Sequence, residues 1–185
     1  RENAYKVLEK KYKPDKRGRT RANTLTAMGM LSSGRPEHRE LVKKWVHSPA
    51  GRAWHPRSGR IRGKSTWHVG FGGLECALYY DATGDDFVLP ALRHYAIETA
   101  IGQNAGGTWG HGFAGLTDEG KPHGRNPGYG ALDAAGSRAY FLVVLAHKLG
   151  VDHPEVAGAV KRGYPFWVKS FVDKGSIGYG YHPPT

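Results

Sequence analysis

Three times along this 185-residue chain an apolar helical run stops at a glycine and is followed at once by a second helical run that is apolar on one side. The first is "NTLTAMGMLSSG", closing at Gly34, with "RPEHRELVKKWVHS" behind it; Pro36 suits the opening turn of the second helix, and Leu41 and Trp45 share its apolar face. The second is "LECALYYDATG", closing at Gly84, followed by "DDFVLPALRHYAIETAIG", where Val88, Leu92 and Tyr95 form the stripe. The third is "YFLVVLAHKLG", closing at Gly150, followed by "VDHPEVAGAVKRGYPFWVKSFV", where Val156, Val160, Tyr164, Trp167 and Phe171 keep a three-to-four spacing and Pro165 is expected to kink the helix. A helix that is apolar nearly all round must be covered on most sides, so the one-sided helix lies outside it. Units of this kind cannot bury their own first helix and stack side by side. The expectation is an all-α array over residues 21–185, in an inner and an outer layer, with turns at Gly34, Gly84 and Gly150. Residues 1–20 form a separate basic helix and linker, the helix carrying Tyr5, Leu8 and Tyr12 on one side.

The turn glycines are 50 and then 66 residues apart, and the difference is taken up by long connections. These are "SPAGRAWHPRSGRIRGKSTWHVGFGG", "QNAGGTWGHGFAGLTDEGKPHGRNPGYG" and "DKGSIGYGYHPPT", all mixing glycine with Trp, Tyr, Phe and His. Loops longer than about 15 residues without structure of their own are uncommon unless functional or disordered. Their aromatic content argues against disorder and places them over one rim of the array.

Charge separates the two ends. Residues 1–64 hold 18 Lys/Arg against 5 Asp/Glu, whereas residues 65–185 hold 9 against 11. A basic end of this kind can attract a polyanion, or can simply be a solvated face or meet an acidic partner. The single cysteine, Cys76, excludes an internal disulfide and a cysteine-rich zinc cluster, and its setting in "LECALYY" reads as a buried small residue. No run of 18 apolar residues is present, so no membrane span is expected.

The stretch "QNAGGTWG" carries a family likeness. Gln103, Gly107 and Trp109 match the second half of the QW signature of squalene and oxidosqualene cyclases, and Arg162, Gly163, Trp167 and Val168 resemble its first half without the glutamine. With the glycine-turn hairpins, the chain resembles the α/α-toroid superfamily, which includes terpenoid cyclases, protein prenyltransferase β subunits, lanthionine cyclases and several polysaccharide-degrading enzymes. The resemblance implies inner helices ringing a central cavity, with rim loops that decide the chemistry. It also implies partners: closing such a ring takes about twice as many hairpins as are readable here, so the rest of a longer bacterial chain, or association, would complete it. Within that picture Trp109 covers an inner helix end and hydrogen-bonds a loop carbonyl, while Gln103 ties off free helix-end groups.

The signatures of the enzymatic branches are incomplete. No Asp-x-Asp-Asp is present for protonating an alkene; Asp85 and Asp86 fit a helix start and read as caps. Glu75 and Cys76 are adjacent, so their side chains point about 100° apart on a helix and make a poor zinc pair. His123 near Asp118 and Glu119 has metal-binding side chains in no known ligand spacing, and neither a metal nor a cofactor is expected. A carbohydrate ligand is better motivated, because sugar rings stack on aromatic faces and glycosidic cleavage needs two carboxyls about 5–9 Å apart. Candidate acids are Asp118, Glu119, Glu75 and Asp133, the last two at the starts of inner helices. Candidate ligand-binding residues along the rim are Trp67, His68, Trp109, His111, Tyr129, Arg138, Tyr179 and His182, with Trp54 and Tyr181 as further platforms; Arg138 is either a cavity residue or the partner of Asp133. Two functions follow: a non-catalytic scaffold or ligand-binding domain using an aromatic and histidine-lined rim, or a polysaccharide hydrolase or lyase. Polyanion binding by the basic end is a third.

Overall fold

The apolar runs and their glycine stops become helices in a computed structural model that describes residues 2–12, 21–48, 65–128 and 130–170. The helices are α1 (Glu2–Lys11), α2 (Arg21–Ser32), α3 (Pro36–Val46), α4 (Thr66–Thr83), α5 (Leu89–Ile101), α6 (Asp133–Lys148) and α7 (Pro154–Ser170), with a 3-10 turn at Asp86–Val88. Among the described residues there is no strand, only an isolated bridge between Ser65 and Gly112. The fold class is all-α.

Each of the three expected turns is present. Gly34, Gly84 and Gly150 take φ of 73°, 64° and 88°, the left-handed conformation that ends a helix at low cost only for glycine. At Gly84 the amide closes the last turn onto the Tyr80 carbonyl at 2.8 Å, and the chain then reverses into α5. Asp85 caps that reversal, its Oδ1 accepting the Phe87 amide at 3.1 Å, as the capping reading expects.

The first helices of the three hairpins lie side by side, with α4 between α2 and α6, and the second helices lie against them. Helix α4 is buried along its length, at Val69, Leu74, Cys76, Ala77 and Tyr79. Gly73 is where its neighbours come closest: a Cβ there would collide with Leu142 of α6 and sit 2.8 Å from the Tyr95 Cβ of α5. Trp45, Leu92 and Leu142 are fully enclosed, and burying such side chains contributes roughly 1.5–3 kcal/mol each. Helix α1 docks on the first hairpin through Leu8 against Gly29, and through His38, whose Nε2 meets the Glu9 carboxylate at 3.0 Å.

Several expectations need correction. Helix α4 begins at Thr66, so Trp67, His68 and Phe71 stand on its first turns instead of in a connecting loop, and Glu75 is mid-helix. The loop reading failed because "GFGG" suggests a breaker, yet its last glycine, Gly73, is what lets α5 and α6 approach. In α3 the buried face is His38, Val42, Trp45 and Val46, with Leu41 39 % exposed. In α7 it is Val156, Ala159, Gly163 and Trp167, while Tyr164 is 66 % exposed, and the helix runs on through Pro165 to Ser170. Helix α5 is less one-sided than expected because it touches α4, α6 and α7. Phe171 and the readings on Trp54, Tyr129, Tyr179, Tyr181 and His182 lie outside the described residues, as do residues 13–20 and 49–64, which hold half of the Lys/Arg of the basic end.

Candidate functional site

The connection from α5 to α6 is held down by the glutamine and tryptophan that opened the family likeness. Gln103 is fully buried; its Nε2 donates to the carbonyls of Gly107 and Ala159, both at 3.0 Å, and its Oε1 accepts from Arg162 Nε at 2.9 Å. Ala159 and Arg162 belong to α7, so one side chain joins the end of one hairpin to the outer helix of the next. Gly107, at φ 85°, fits under that helix because a Cβ there would run into the Arg162 carbonyl. His123 completes the tie, its Nδ1 donating to the Gln103 carbonyl at 2.7 Å and its Nε2 meeting Glu155 at 3.1 Å. Trp109 is 0 % exposed and its indole N–H donates to the Thr99 carbonyl at 2.8 Å. No face of Trp109 is open to a ligand. Its place among the rim ligand-binding residues is corrected to a packing role.

With the loop fixed, residues 109–112 pass between the starts of two inner helices. The Thr66 amide of α4 donates to the His111 carbonyl at 2.9 Å, and the Leu132 amide before α6 donates to the Trp109 carbonyl at 2.8 Å. His111 is thereby set beside Trp67, whose indole N–H donates to His111 Nδ1 at 3.0 Å. Since that nitrogen accepts, a neutral His111 ring carries its hydrogen on Nε2, a donor. From α6, Arg138 reaches across to α4, its guanidinium carbon 5.0 Å from the centre of the Trp67 ring and 4.7 Å from that of Phe71. Gly70 sits against the backbone of α6 at this point, the Arg138 Cβ lying 3.4 Å from where a Gly70 Cβ would be, an ordinary contact distance. Arg138 Nη1 also donates to the Ala134 carbonyl. Burial pushes the guanidinium pKa down, which marks a cation partly stripped of water. One turn further along α6, Phe141 is 51 % exposed, and His68 is exposed on the first turn of α4.

The carboxylates are dispersed. Asp133, the first residue of α6, is 5 % exposed; burial pushes its carboxyl up, and Oδ1 has no protein partner. No ion pair joins it to Arg138, so of the two alternatives for that arginine the pairing is corrected: it stacks on Trp67 and Phe71. Glu75 is 0 % exposed within α4. Glu119 is exposed and paired with Lys121 at 2.7 Å. Asp118 lines an open cleft of about 620 Å³ with Asn104, Leu116, His123, Arg125 and Asn126, whose walls include none of the other three acids. The arrangement brings together Trp67, His111, Arg138 and Phe71, with Phe141 one turn from Arg138 along α6.

Sequence reasoning missed Phe71 and Phe141. Phe71 is four residues from Trp67 and readable as its neighbour once the helix starts at Thr66. Phe141 was hidden in an apolar run whose exposed side is set by tertiary packing. Also unforeseen is a cluster at the opposite turn, where the Tyr79 hydroxyl donates to Asp85 Oδ2 and His47 Nε2 meets the same oxygen, both at 2.6 Å. Burial and then the bond to Asp85 raise the Tyr79 pKa. Burial also opposes ionisation of Asp85, but the bonds from His47, Tyr79 and the Phe87 amide outweigh it and bring the carboxyl down to about 2.

Among the described residues no helix is long and apolar enough to cross a membrane, and no group of three or more His, Cys, Asp or Glu could hold a metal ion. No curated protein and no protein of solved structure matches the chain. Over residues 2–185 the sequence does match the model of one family, and by that match the chain belongs to the family described as Domain of unknown function (DUF6288).

Proposed function

We propose that this chain is a non-catalytic, ligand-binding part of an α/α toroid, and that it holds a carbohydrate where α4 and α6 begin. The observation that carries the reading is Phe141, 51 % exposed on an inner-layer helix one turn from Arg138, which itself lies over Trp67 and Phe71. A first-layer helix exists to be covered, so a half-bare ring beside a stacked cation needs another occupant, and the face of a sugar suits a flat aromatic with donors at its edge. The toroid part rests on the side-by-side inner helices and the Gln103–Trp109 tie, and further hairpins of a longer chain or a second copy would close the ring.

Phe141→Ser tests the binding part cleanly, because an exposed ring contributes little to stability. Titration of plant and bacterial polysaccharide fragments, followed by calorimetry, should find a binder whose affinity drops about tenfold or more in Phe141→Ser and Trp67→Ala. Affinity unchanged by both substitutions would remove the mouth as the site.

Asp133 favours a second reading, polysaccharide cleavage, since a buried carboxyl with a raised pKa is suited to general-acid work. Release of new reducing ends or unsaturated ends by the wild type, abolished in Asp133→Asn, would establish it in place of simple binding.

A further inference from the structure

Arg138 is the one member of this mouth that says what kind of sugar it takes. The arginines elsewhere that reach across elements are neutralised: Arg35 has Glu2 at 3.3 Å and Glu37 at 2.6 Å, and Arg162 has Glu155 at 3.5 Å and the Gln103 amide. Among the described residues Arg138 has no carboxylate within ion-pair distance. Its bond to the Ala134 carbonyl occupies one of five N–H donors, and Trp67 and Phe71 lie on one side of it, their ring centres 5.0 and 4.7 Å from the guanidinium carbon. A guanidinium stacked in this way presents its edge, and a planar fork of N–H groups matches the two oxygens of a carboxylate. The acidic neighbour that could have filled the role, Asp133, is enclosed at the start of the same helix and does not reach it.

We infer that the carbohydrate held here is acidic, a chain of uronic acid units, with one sugar carboxylate seated on the guanidinium edge of Arg138 and the sugar ring against Phe141. This rests on the carbohydrate reading above. The nearest exposed polar side chain agrees with it: His68 stands open on the first turn of α4. A neutral sugar would need acceptors as well as donors, and the carboxylates close in sequence to this mouth, Glu75 and Asp133, are both enclosed.

The test uses polygalacturonate oligomers, the same oligomers fully methyl-esterified, and neutral galactan fragments, with wild type, Arg138→Gln and Arg138→Lys. Wild type should prefer the acid form over the ester by about 10- to 100-fold, the ratio a charge-assisted bidentate pair supplies. Arg138→Gln should bind acid and ester alike. Arg138→Lys, which keeps the charge and loses the fork, should fall between, and circular dichroism of each variant shows whether it is folded. Equal wild-type affinity for acid and ester overturns the acidic-ligand inference and leaves the carbohydrate reading standing. Acid binding that survives in Arg138→Gln and vanishes in high salt overturns it too, by assigning the binding to a diffuse basic surface. Failure of all acidic and neutral glycans to bind removes the carbohydrate reading itself, and the inference with it.

Discussion

Replacing Gln103 by alanine should destabilise the whole array, because one buried amide joins two hairpins. Its two donors serve the Gly107 and Ala159 carbonyls at 3.0 Å each and its oxygen takes the Arg162 N–H at 2.9 Å. A neutral hydrogen bond contributes about 0.5–1.5 kcal/mol net and one to a charged group about 1.5–3. The sum is roughly 2.5–6 kcal/mol, and the lower half applies because Arg162 keeps Glu155 at 3.5 Å after the change. A loss of about 3 kcal/mol is expected, equivalent to roughly 6–12 °C in melting temperature for a chain of this length. Urea denaturation followed by circular dichroism should show the midpoint falling at constant m. Gln103→Glu separates bonding from volume: it keeps the attraction to Arg162 but turns an oxygen toward two carbonyls, so it should not recover stability. A double-mutant cycle with Arg162→Ala should give a coupling of about 1 kcal/mol or more. If Gln103→Ala stays within about 1 kcal/mol of wild type, or the cycle shows no coupling, the glutamine is not a tie between repeats and the argument for its buried role is wrong.

Acid should act through Asp85. Its folded pKa lies below its ordinary value of 3.8, so it contributes stability above that value, and the contribution is lost as pH falls toward about 2. The shift corresponds to roughly 2 kcal/mol at neutral pH, and Asp85→Asn should lower the neutral urea midpoint and flatten its fall between about pH 4 and 2. Gly73→Ala should cost about 1–3 kcal/mol by overpacking against Leu142 and Tyr95, visible as a lower melting temperature with retained helicity; an unchanged melt would refute the close approach. His38→Ala removes a fully buried ring bonded to Ser33 Oγ at 2.7 Å and Glu9 at 3.0 Å, and should free α1. Limited proteolysis would then cut near α1 faster than elsewhere, and equal rates would show that α1 is held by other contacts.

Much of this molecule is legible before folding, and the reason is local. A glycine that must take positive φ, a proline tolerated in a first turn and a side chain that must leave water each act within a few residues, so the helices, their glycine turns and the Asp85 cap follow from the order of residues. The buried roles of Gln103 and Trp109 were readable for the same reason, since a polar tip on a buried side chain needs a partner nearby. What only tertiary structure decided is which helices meet. The sequence places Trp67 and Arg138 71 positions apart, and nothing local says that one arm will reach across to α4 and lie by two rings. The same holds for Phe141, left half bare within an apolar run, and for His47 brought to Asp85. Local rules fix conformation because they are one-body or nearest-neighbour energies; the mouth depends on the approach of helices distant along the chain, and that is a property of the packed whole.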